Sequence, residues 1–332
     1  MFRSTTSLNR PDLKEAGGLA QHRAVLCATH ATSRSDAAVA RASVIAHELG
    51  AELLLLHVID SRLRVRAARR RSALACSILD AHTRAIARSG VSVKMSVRSG
   101  RPHEVIANAA LEIDAELIVL GANRRRFADS LRGTRAELIA SKAERPVLVV
   151  NSQSTSPYRR VLLTSDLSGM TAGAARVTDE LGLLKRSRTS IVHALEHTRK
   201  TMLYLAGVDE SDVANYQRSL LELASDEIDV QLFSAGLDAK NLEIFSLPAS
   251  PLHAIEQTAE RMGSDLIVVG CSRFAALKRM FSVSVSNQLL QNSERDVLLI
   301  SPAAARRVRH RTYAVARYHL ESELPQQALR LH

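Results

Sequence analysis

Two groups of residues have the types and spacing suited to holding a nucleoside or an anion. In each group a polar residue follows one short apolar run, and a glycine and a hydroxyl residue come later. The first group is His30, Gly121 and Gly133-Thr134, and the second is Asp166, Gly270 and Val283-Ser284. A carboxylate can accept hydrogen bonds from a base or ribose, and glycines let backbone N–H groups approach a phosphate closely. Both groups are therefore candidate binding sites.

Histidine and cysteine are the other residue types that could do chemistry. His57 and His193 each follow an apolar run without a carboxylate or cysteine at metal-ligand spacing, so we expect packed, hydrogen-bonded side chains. A general-base role for His30 is an alternative to a passive one. The cysteines lie far apart without a Cys-x-x-Cys pair, which indicates buried, reduced thiols. They are Cys27, Cys76 and Cys271.

An internal repeat must position these residues. The run Val-Leu-Cys-Ala-Thr-His ending at His30 recurs as Val-Leu-Leu-Thr-Ser-Asp ending at Asp166, 136 residues later. His193 follows His57 by the same 136 residues, and the apolar run ending at Gly121 recurs 149 residues later. The chain therefore contains two copies of one unit, here called copy one and copy two.

Within each copy, β-branched and leucine-rich runs alternate with helix-like stretches, which is typical of βαβ units on a parallel sheet. In copy one, strands are predicted near 23–29, 52–58, 91–97, 116–120 and 147–151, and helices near 36–49, 64–89, 102–112 and 134–142. In copy two, strands are predicted near 160–164, 189–194, 241–247, 265–269 and 296–300. The fold class is α/β, with two tandem open α/β sandwiches, each built on a five-stranded, doubly wound parallel sheet.

The copies define two domains, at 21–151 and 159–302, with a serine- and proline-containing linker at 151–158 between them. Residues 1–20 and 303–332 flank the domains. The closing strands at 147–150 and 297–300 would each leave an apolar edge with unpaired backbone groups. We therefore expect them to pair edge to edge, as an intramolecular pseudo-dimer. A homodimer of the whole chain is a further alternative.

The repeat resembles the universal stress protein family. The features that carry the resemblance are a first strand of the form Val-Leu-x-x-Thr-Asp, a second strand ending His-Val and a fourth strand Ile-Val-Val-Gly. A glycine-spaced loop then leads to Gly-Ser or Gly-Thr and a closing Pro-Val-Leu-Val-Val. The resemblance implies an adenine-nucleotide-hydrolase-like fold. The residues that match the family's nucleotide contacts are His30, Val58, Gly121, Gly133 and Thr134 in copy one and Asp166, Ala194, Gly270 and Ser284 in copy two.

Both phosphate loops depart from the family pattern. Arg124 and Arg273 replace the second glycine in copy one and copy two, and Val283 replaces a third glycine. Side chains there would block the backbone approach to phosphate, so we expect ATP to bind copy one weakly or not at all. Any residual site is expected in copy two on Asp166, which could alternatively cap a helix. No cofactor is required on this interpretation, with ATP or AMP as the alternative.

The amino-acid composition counts against some classes of function. The chain has 332 residues and a net charge of +11, but only 3% of its residues are aromatic, whereas single-strand binders stack bases on aromatic side chains. No run approaches the ~18 apolar residues of a membrane span, so we expect a cytoplasmic protein without a membrane partner. The leading hypothesis is a non-enzymatic stress-response protein that acts by binding and association. The alternatives are a stress protein that binds or slowly hydrolyses adenine nucleotides, and a basic nucleic-acid-associated protein.

Three clusters of arginines carry much of the positive charge. Residues 124–126 are expected to bind phosphate or to form an exposed charge run, and the arginines between 62 and 71 to form a solvated face or a docking site. The tail is the predicted contact for an anionic partner. Its arginines are Arg306, Arg307, Arg309, Arg311 and Arg317.

Overall fold

A computed structural model describes residues 23–30, 36–122, 134–194, 206–237, 243–247, 249–270 and 285–307. Copy one contains β1 (Ala24–Thr29), α1 (Asp36–Leu49), β2 (Glu52–Asp60), α2 (Val65–Ala87), β3 (Val93–Gly100), α3 (Pro102–Glu112), β4 (Leu117–Gly121), α4 (Arg135–Ala143) and β5 (Val147–Val150). Copy two contains β6 (Arg160–Ser165), α5 (Met170–Glu180), β7 (Arg188–Ala194), α6 (Glu210–Ser234), β8 (Glu243–Leu247), α7 (Pro251–Met262), β9 (Leu266–Gly270), α8 (Val285–Asn292) and β10 (Asp296–Ile300).

The strands and helices follow from local sequence. β1 is buried at every position, as expected for a strand covered by helices on both faces. Proline occupies the first turn of α3 and of α7, where its missing N–H costs nothing. β2 and β3 extend beyond the predicted ends at 58 and 97, because their parallel pairing continues to Asp60 and Gly100. The predicted order of elements is confirmed.

All ten strands form one sheet, in the order β3-β2-β1-β4-β5-β10-β9-β6-β7-β8. Pairing within each copy is parallel, whereas β5 and β10 pair antiparallel with Leu148 opposite Leu298. The predicted pairing of the closing strands is thus confirmed. Because the closing strands satisfy each other's backbone groups, the two five-stranded sheets continue into one ten-stranded sheet.

Helices cover both faces of this sheet. α1, α2, α5 and α6 pack on one face around Val25, Leu55 and Leu298, which are fully buried. α3, α4, α7 and α8 pack on the other face around Leu26, Ile118 and Leu299. Each apolar core runs across the boundary between the copies, so the two copies share their cores. Among the described residues, no helix combines the length and the apolar character needed to cross a bilayer.

A buried polar network binds the linker between the copies to the start of β10. Asp296, at the start of β10, is fully buried, and its Oδ1 accepts hydrogen bonds from the backbone N–H groups of Asn151 (2.9 Å) and Ser152 (2.8 Å). Its Oδ2 accepts a hydrogen bond from the Tyr158 hydroxyl at 2.6 Å and lies 3.4 Å from Nε of buried Arg41. The Arg41 guanidinium also lies 4.1 Å from the centre of the Tyr158 ring. Burial, followed by the charge of Asp296, raises the pKa of Tyr158 well above its usual value.

Candidate functional site

A cavity of about 160 Å³ lies in copy one where β1 and β4 end. These two strands are neighbours, but β1 is followed by a helix on one face of the sheet and β4 by a helix on the other. Ligands of open α/β sheets bind at such a switch point. Most of the lining is apolar, from side chains such as Leu56, Ile106 and Leu120. The cavity can therefore hold a flat, apolar group.

Polar side chains lie among the lining residues. They are Thr29, His30, His103, Thr134, Arg135 and Gln291. Loss of hydration lowers the pKa of His30 although part of its surface is exposed, and the nearby charges of Arg135 and His57 lower it further. His30 therefore favours its neutral form near pH 7, and among the described lining residues Arg135 is the one that is permanently positively charged.

The first turn of α4 is held by a capping box. The Thr134 hydroxyl accepts a hydrogen bond from the Glu137 backbone N–H at 3.2 Å, and the Glu137 carboxylate accepts one from the Thr134 N–H at 2.8 Å. Glu137 also accepts a hydrogen bond from the Ser286 hydroxyl of copy two at 2.6 Å. Because N–H groups of a first helical turn lack intrahelical partners, those of Arg135 and Ala136 remain as donors beside the cavity.

The structure brings four of the predicted copy-one residues around this one cavity. His30, Val58, Gly121 and Thr134 all line it, from the ends of β1, β2 and β4 and the start of α4. The predicted Gly133 and the arginines at 124–126 fall outside the described residues. A nucleotide contact for each of these residues stays a prediction.

The two strand-end histidines are structural in the same way in both copies. His57 Nδ1 lies 2.9 Å from the Thr29 carbonyl oxygen, and His193 Nδ1 lies 3.0 Å from that of Ser165. The ring N–H at Nδ1 donates to the carbonyl, which confirms the predicted hydrogen-bonded histidines. Burial is the main cause that lowers the pKa of His57. Among the described residues, no group of three or more potential ligands could hold a metal ion.

Asp166 of copy two is engaged in a local turn. Its Oδ1 accepts hydrogen bonds from the Ser168 backbone N–H at 3.0 Å and from the Ser168 hydroxyl. Leu167 between them takes a left-handed backbone with φ of +57°. The alternative that Asp166 caps α5 is wrong, because the N-cap is Gly169 and the Met170 N–H at the helix start donates to the Ser168 hydroxyl (3.3 Å) and not to Asp166. The two hydrogen bonds from Ser168 to Asp166 Oδ1 stabilise this turn.

The end of β9 is covered in copy two. A Cβ placed on Gly270 would lie 3.3 Å from Cβ of Met170, the first residue of α5, so Met170 packs directly on the strand end. In copy one the corresponding Gly121 lines the open cavity. Ala194 is half-buried at the end of β7, and Ser284 falls outside the described residues.

The predicted burial of the cysteines needs correction at Cys76. Cys27 is buried, and burial raises its pKa to about 12, but Cys76 is exposed on α2 because it lies away from the helix face that packs on the sheet.

Arg307 of the tail donates a hydrogen bond to Asp114 at 2.5 Å, and Arg145 donates one to the same oxygen at 2.8 Å. Arg307 is therefore already paired within the chain. The tail beyond 307 and Cys271 fall outside the described residues.

The family is decided by a comparison with known sequences. A model of the universal stress protein family matches residues 22–151 and again residues 157–301. The chain belongs to the universal stress protein family. Its two family units stand in tandem, which agrees with the internal repeat and with the two halves of the sheet.

Solved structures with this fold cover most of this universal stress protein. One from Archaeoglobus fulgidus, also a universal stress protein, is 18% identical with a TM-score of 0.59, covering 84% of this chain and 96% of that chain. A protein from Pseudomonas aeruginosa UCBPP-PA14, described as a universal stress protein, is 18% identical with a TM-score of 0.56, covering 87% and 96%. Such low identity shows the fold alone. No protein with a curated description matches the sequence.

Several cavity residues were missed by the sequence analysis. Arg135 directly follows the Gly133-Thr134 pair, and His103 follows the proline that starts α3, so both positions carried a local signal. Leu290 and Gln291 come from α8 of copy two and carried none. They reach the copy-one cavity because the closing strands join the copies. This universal stress protein therefore builds its copy-one cavity from both copies.

Proposed function

We propose that this universal stress protein is a non-enzymatic binding protein whose copy-one cavity holds the ring of an adenine nucleoside or nucleoside monophosphate. The observation that carries the proposal is the cavity at the β1/β4 switch point, apolar in its walls and cationic at Arg135. Adenine is the base that the family resemblance implies. The sequence alone favoured copy two, whereas the described cavity lies in copy one.

The size of the cavity limits what it can enclose. A cavity of about 150 Å³ is known to hold one benzene ring, so the ~160 Å³ here suits a single flat ring system with its substituents projecting outward. A ribose and one phosphate would then lie near His30, Thr134 and Arg135. In the family pattern a glycine lets the backbone approach the β- and γ-phosphates of ATP, and in this sequence Arg124 takes the position of that glycine. Adenosine and AMP are therefore better ligands than ATP.

The residue types of the lining support binding without catalysis. Among the described lining residues there is no aspartate or glutamate, so these supply no carboxylate ligand for the magnesium ion that phosphoryl transfer uses. His30, although neutral near pH 7, has no carboxylate among the described lining residues to orient it. The stress-response role would then depend on the bound ligand and on association with partners.

Filling the cavity should abolish binding. Val58→Phe places a larger side chain among the apolar walls, and we expect it to weaken binding of adenosine and AMP by roughly 10- to 100-fold, the cost of about 1.5–3 kcal/mol of lost ring burial. Isothermal titration calorimetry on the full chain measures both affinities. Native mass spectrometry first checks that the purified protein carries no bound ligand.

The matched control is Ala194→Phe, at the position of copy two that corresponds to Val58. It should leave both affinities unchanged, with thermal unfolding of the two variants compared in parallel. If Ala194→Phe or Asp166→Ala weakens binding while Val58→Phe does not, the site lies in copy two. Binding of neither ligand to the wild type refutes the proposal altogether.

Arg135 should distinguish a phosphorylated ligand from a bare nucleoside. Arg135→Ala removes the charge-assisted hydrogen bond to the AMP phosphate, which contributes about 1.5–3 kcal/mol. We therefore expect AMP affinity to fall by roughly 10- to 100-fold and adenosine affinity to stay unchanged. In the free protein the same variant raises the pKa of His30, because the Arg135 charge lowers it in the wild type. Calorimetry with both ligands and an NMR titration of the histidines measure the two effects. Equal losses for adenosine and AMP contradict the phosphate contact.

A further inference from the structure

The outer edge of copy one carries a basic helix. α2 packs on β2 and β3, and its sequence contains five arginines and one aspartate. Arg66, Arg69, Arg70 and Arg71 are all exposed, and within the described parts of the chain none of them has an ion-pair partner. Two large apolar side chains, Val65 and Leu74, are 69% and 60% exposed on the same helix.

The opposite edge of the sheet carries an acidic helix of similar length. α6 packs on β8 and α5 and contains six acidic residues and one arginine in its 25 positions. Glu222, Asp226 and Asp229 are exposed, again without an ion-pair partner in the described ranges. A line of apolar side chains lies beside them. It comprises Leu223, Val230 and Phe233, which are 64%, 65% and 85% exposed.

α2 and α6 cannot contact each other within one molecule. They lie at the two ends of the ten-stranded sheet, where β3 and β8 are separated by nine strand spacings, or about 40 Å along a sheet. Opposite charge and exposed apolar surface on helices of 23 and 25 residues are therefore available to other molecules. Every copy of this chain carries both helices.

We propose that α2 of one molecule docks on α6 of a second copy of this chain. Arginines of α2 would face Glu222, Asp226 and Asp229 of α6. Leu74, which shares the helix face of Arg66 and Arg70, would be buried beside the exposed apolar residues of α6. Such complementary charge determines which surfaces meet and in which register, while apolar burial supplies affinity. This contact is distinct from the β5/β10 pairing, which is satisfied within the chain.

A nucleic acid is the other class of molecule that a basic helix could bind. Two observations favour a second copy. The acidic α6 offers α2 a surface of opposite charge that every second copy carries, and α2 contains no aromatic side chain among its arginines on which bases could stack. RNA binding is therefore an outcome of the test and not a second proposal.

The test reverses the charges of α2 or of α6 in the full chain. Sedimentation velocity then measures self-association over a range of protein concentrations at low and high salt. Wild type is expected to self-associate, more strongly at low salt. Arg66→Glu with Arg70→Glu, or Glu222→Lys with Asp226→Lys, should each weaken self-association by about a hundredfold, because like charges then face each other. An equimolar mixture of the two variants should associate again, since each offers the other two complementary helix pairs.

Lys185→Glu with Arg186→Glu is the control for the α2 variant, because it lowers the net charge by the same amount at exposed residues that belong to neither helix. It should leave association unchanged. Circular dichroism checks that each variant is folded. A wild type that stays monomeric at every concentration overturns the proposal, as does association that the α2 and α6 variants leave intact. A monomeric wild type whose binding to a 20-nucleotide RNA is lost in the α2 variant would assign α2 to nucleic acid instead.

Discussion

Replacement of Asp296 by alanine is expected to lower the free energy of unfolding by about 3–5 kcal/mol, the cost of leaving one member of a buried ion pair alone. The carboxylate is fully buried and has four polar neighbours, two from linker backbone and two from the side chains of Tyr158 and Arg41. Without it, the Arg41 guanidinium, 2% exposed, keeps its bonds to the Ser154 and Ser156 carbonyls but loses its counter-charge. Urea unfolding followed by circular dichroism measures the loss.

Asp265→Ala is the matched comparison. Asp265 also accepts two hydrogen bonds from backbone that follows the linker, those of Arg159 (2.8 Å) and Arg160 (3.1 Å), but it is less buried than Asp296. Loss of two such bonds costs about 1–3 kcal/mol, and no charge is left buried without a partner. If Asp296→Ala destabilises the chain no more than Asp265→Ala does, the buried network does not hold the copies together.

A charge placed in the β5/β10 seam should have a comparably large effect. Leu148 is fully buried and lies directly opposite Leu298, with helices packed over both. Leu148→Asp leaves a carboxylate in an apolar core with no partner, and we expect the free energy of unfolding to fall by more than about 4 kcal/mol. Urea unfolding measures the loss, and limited proteolysis at the linker reports whether the copies separate.

The control substitution is Leu111→Asp, because Leu111 is 47% exposed on α3. The same chemical change there should cost less than about 1 kcal/mol, since the carboxylate stays in water. Similar losses at Leu148 and Leu111 would mean that the antiparallel seam contributes little to stability.

Much of the architecture could be predicted because its causes are local. A strand buried on both faces is largely apolar, as β1 is up to Thr29 and β9 is throughout. Helix starts are indicated by residues such as Pro102 and Thr134. Pairing of the closing strands followed from a general rule, that apolar strand edges are not left open. Strand ends were less accurate, because the ladder between β2 and β3 depends on both partners.

The candidate site was predictable in part. His30, Val58, Gly121 and Thr134 were identified because each ends a strand or starts a helix in a repeated pattern, and the structure brings them around one cavity. Arg135 and His103 were overlooked although they directly follow recognised motifs. Asp166 was given a capping alternative that failed, because the backbone turns at Leu167 before α5 begins.

The sequence by itself determined that the chain is a tandem of two α/β units, because apolar periodicity, helix caps and an internal repeat act over short stretches of chain. Tertiary structure alone decided that the cavity described here opens in copy one, while Met170 covers the matching strand end in copy two. It also decided that Leu290 and Gln291 complete that cavity and that Asp296 binds the linker. The cavity brings together residues as far apart in the sequence as Ala28 and Gln291. Its geometry depends on how whole helices and strands pack, which no local pattern records.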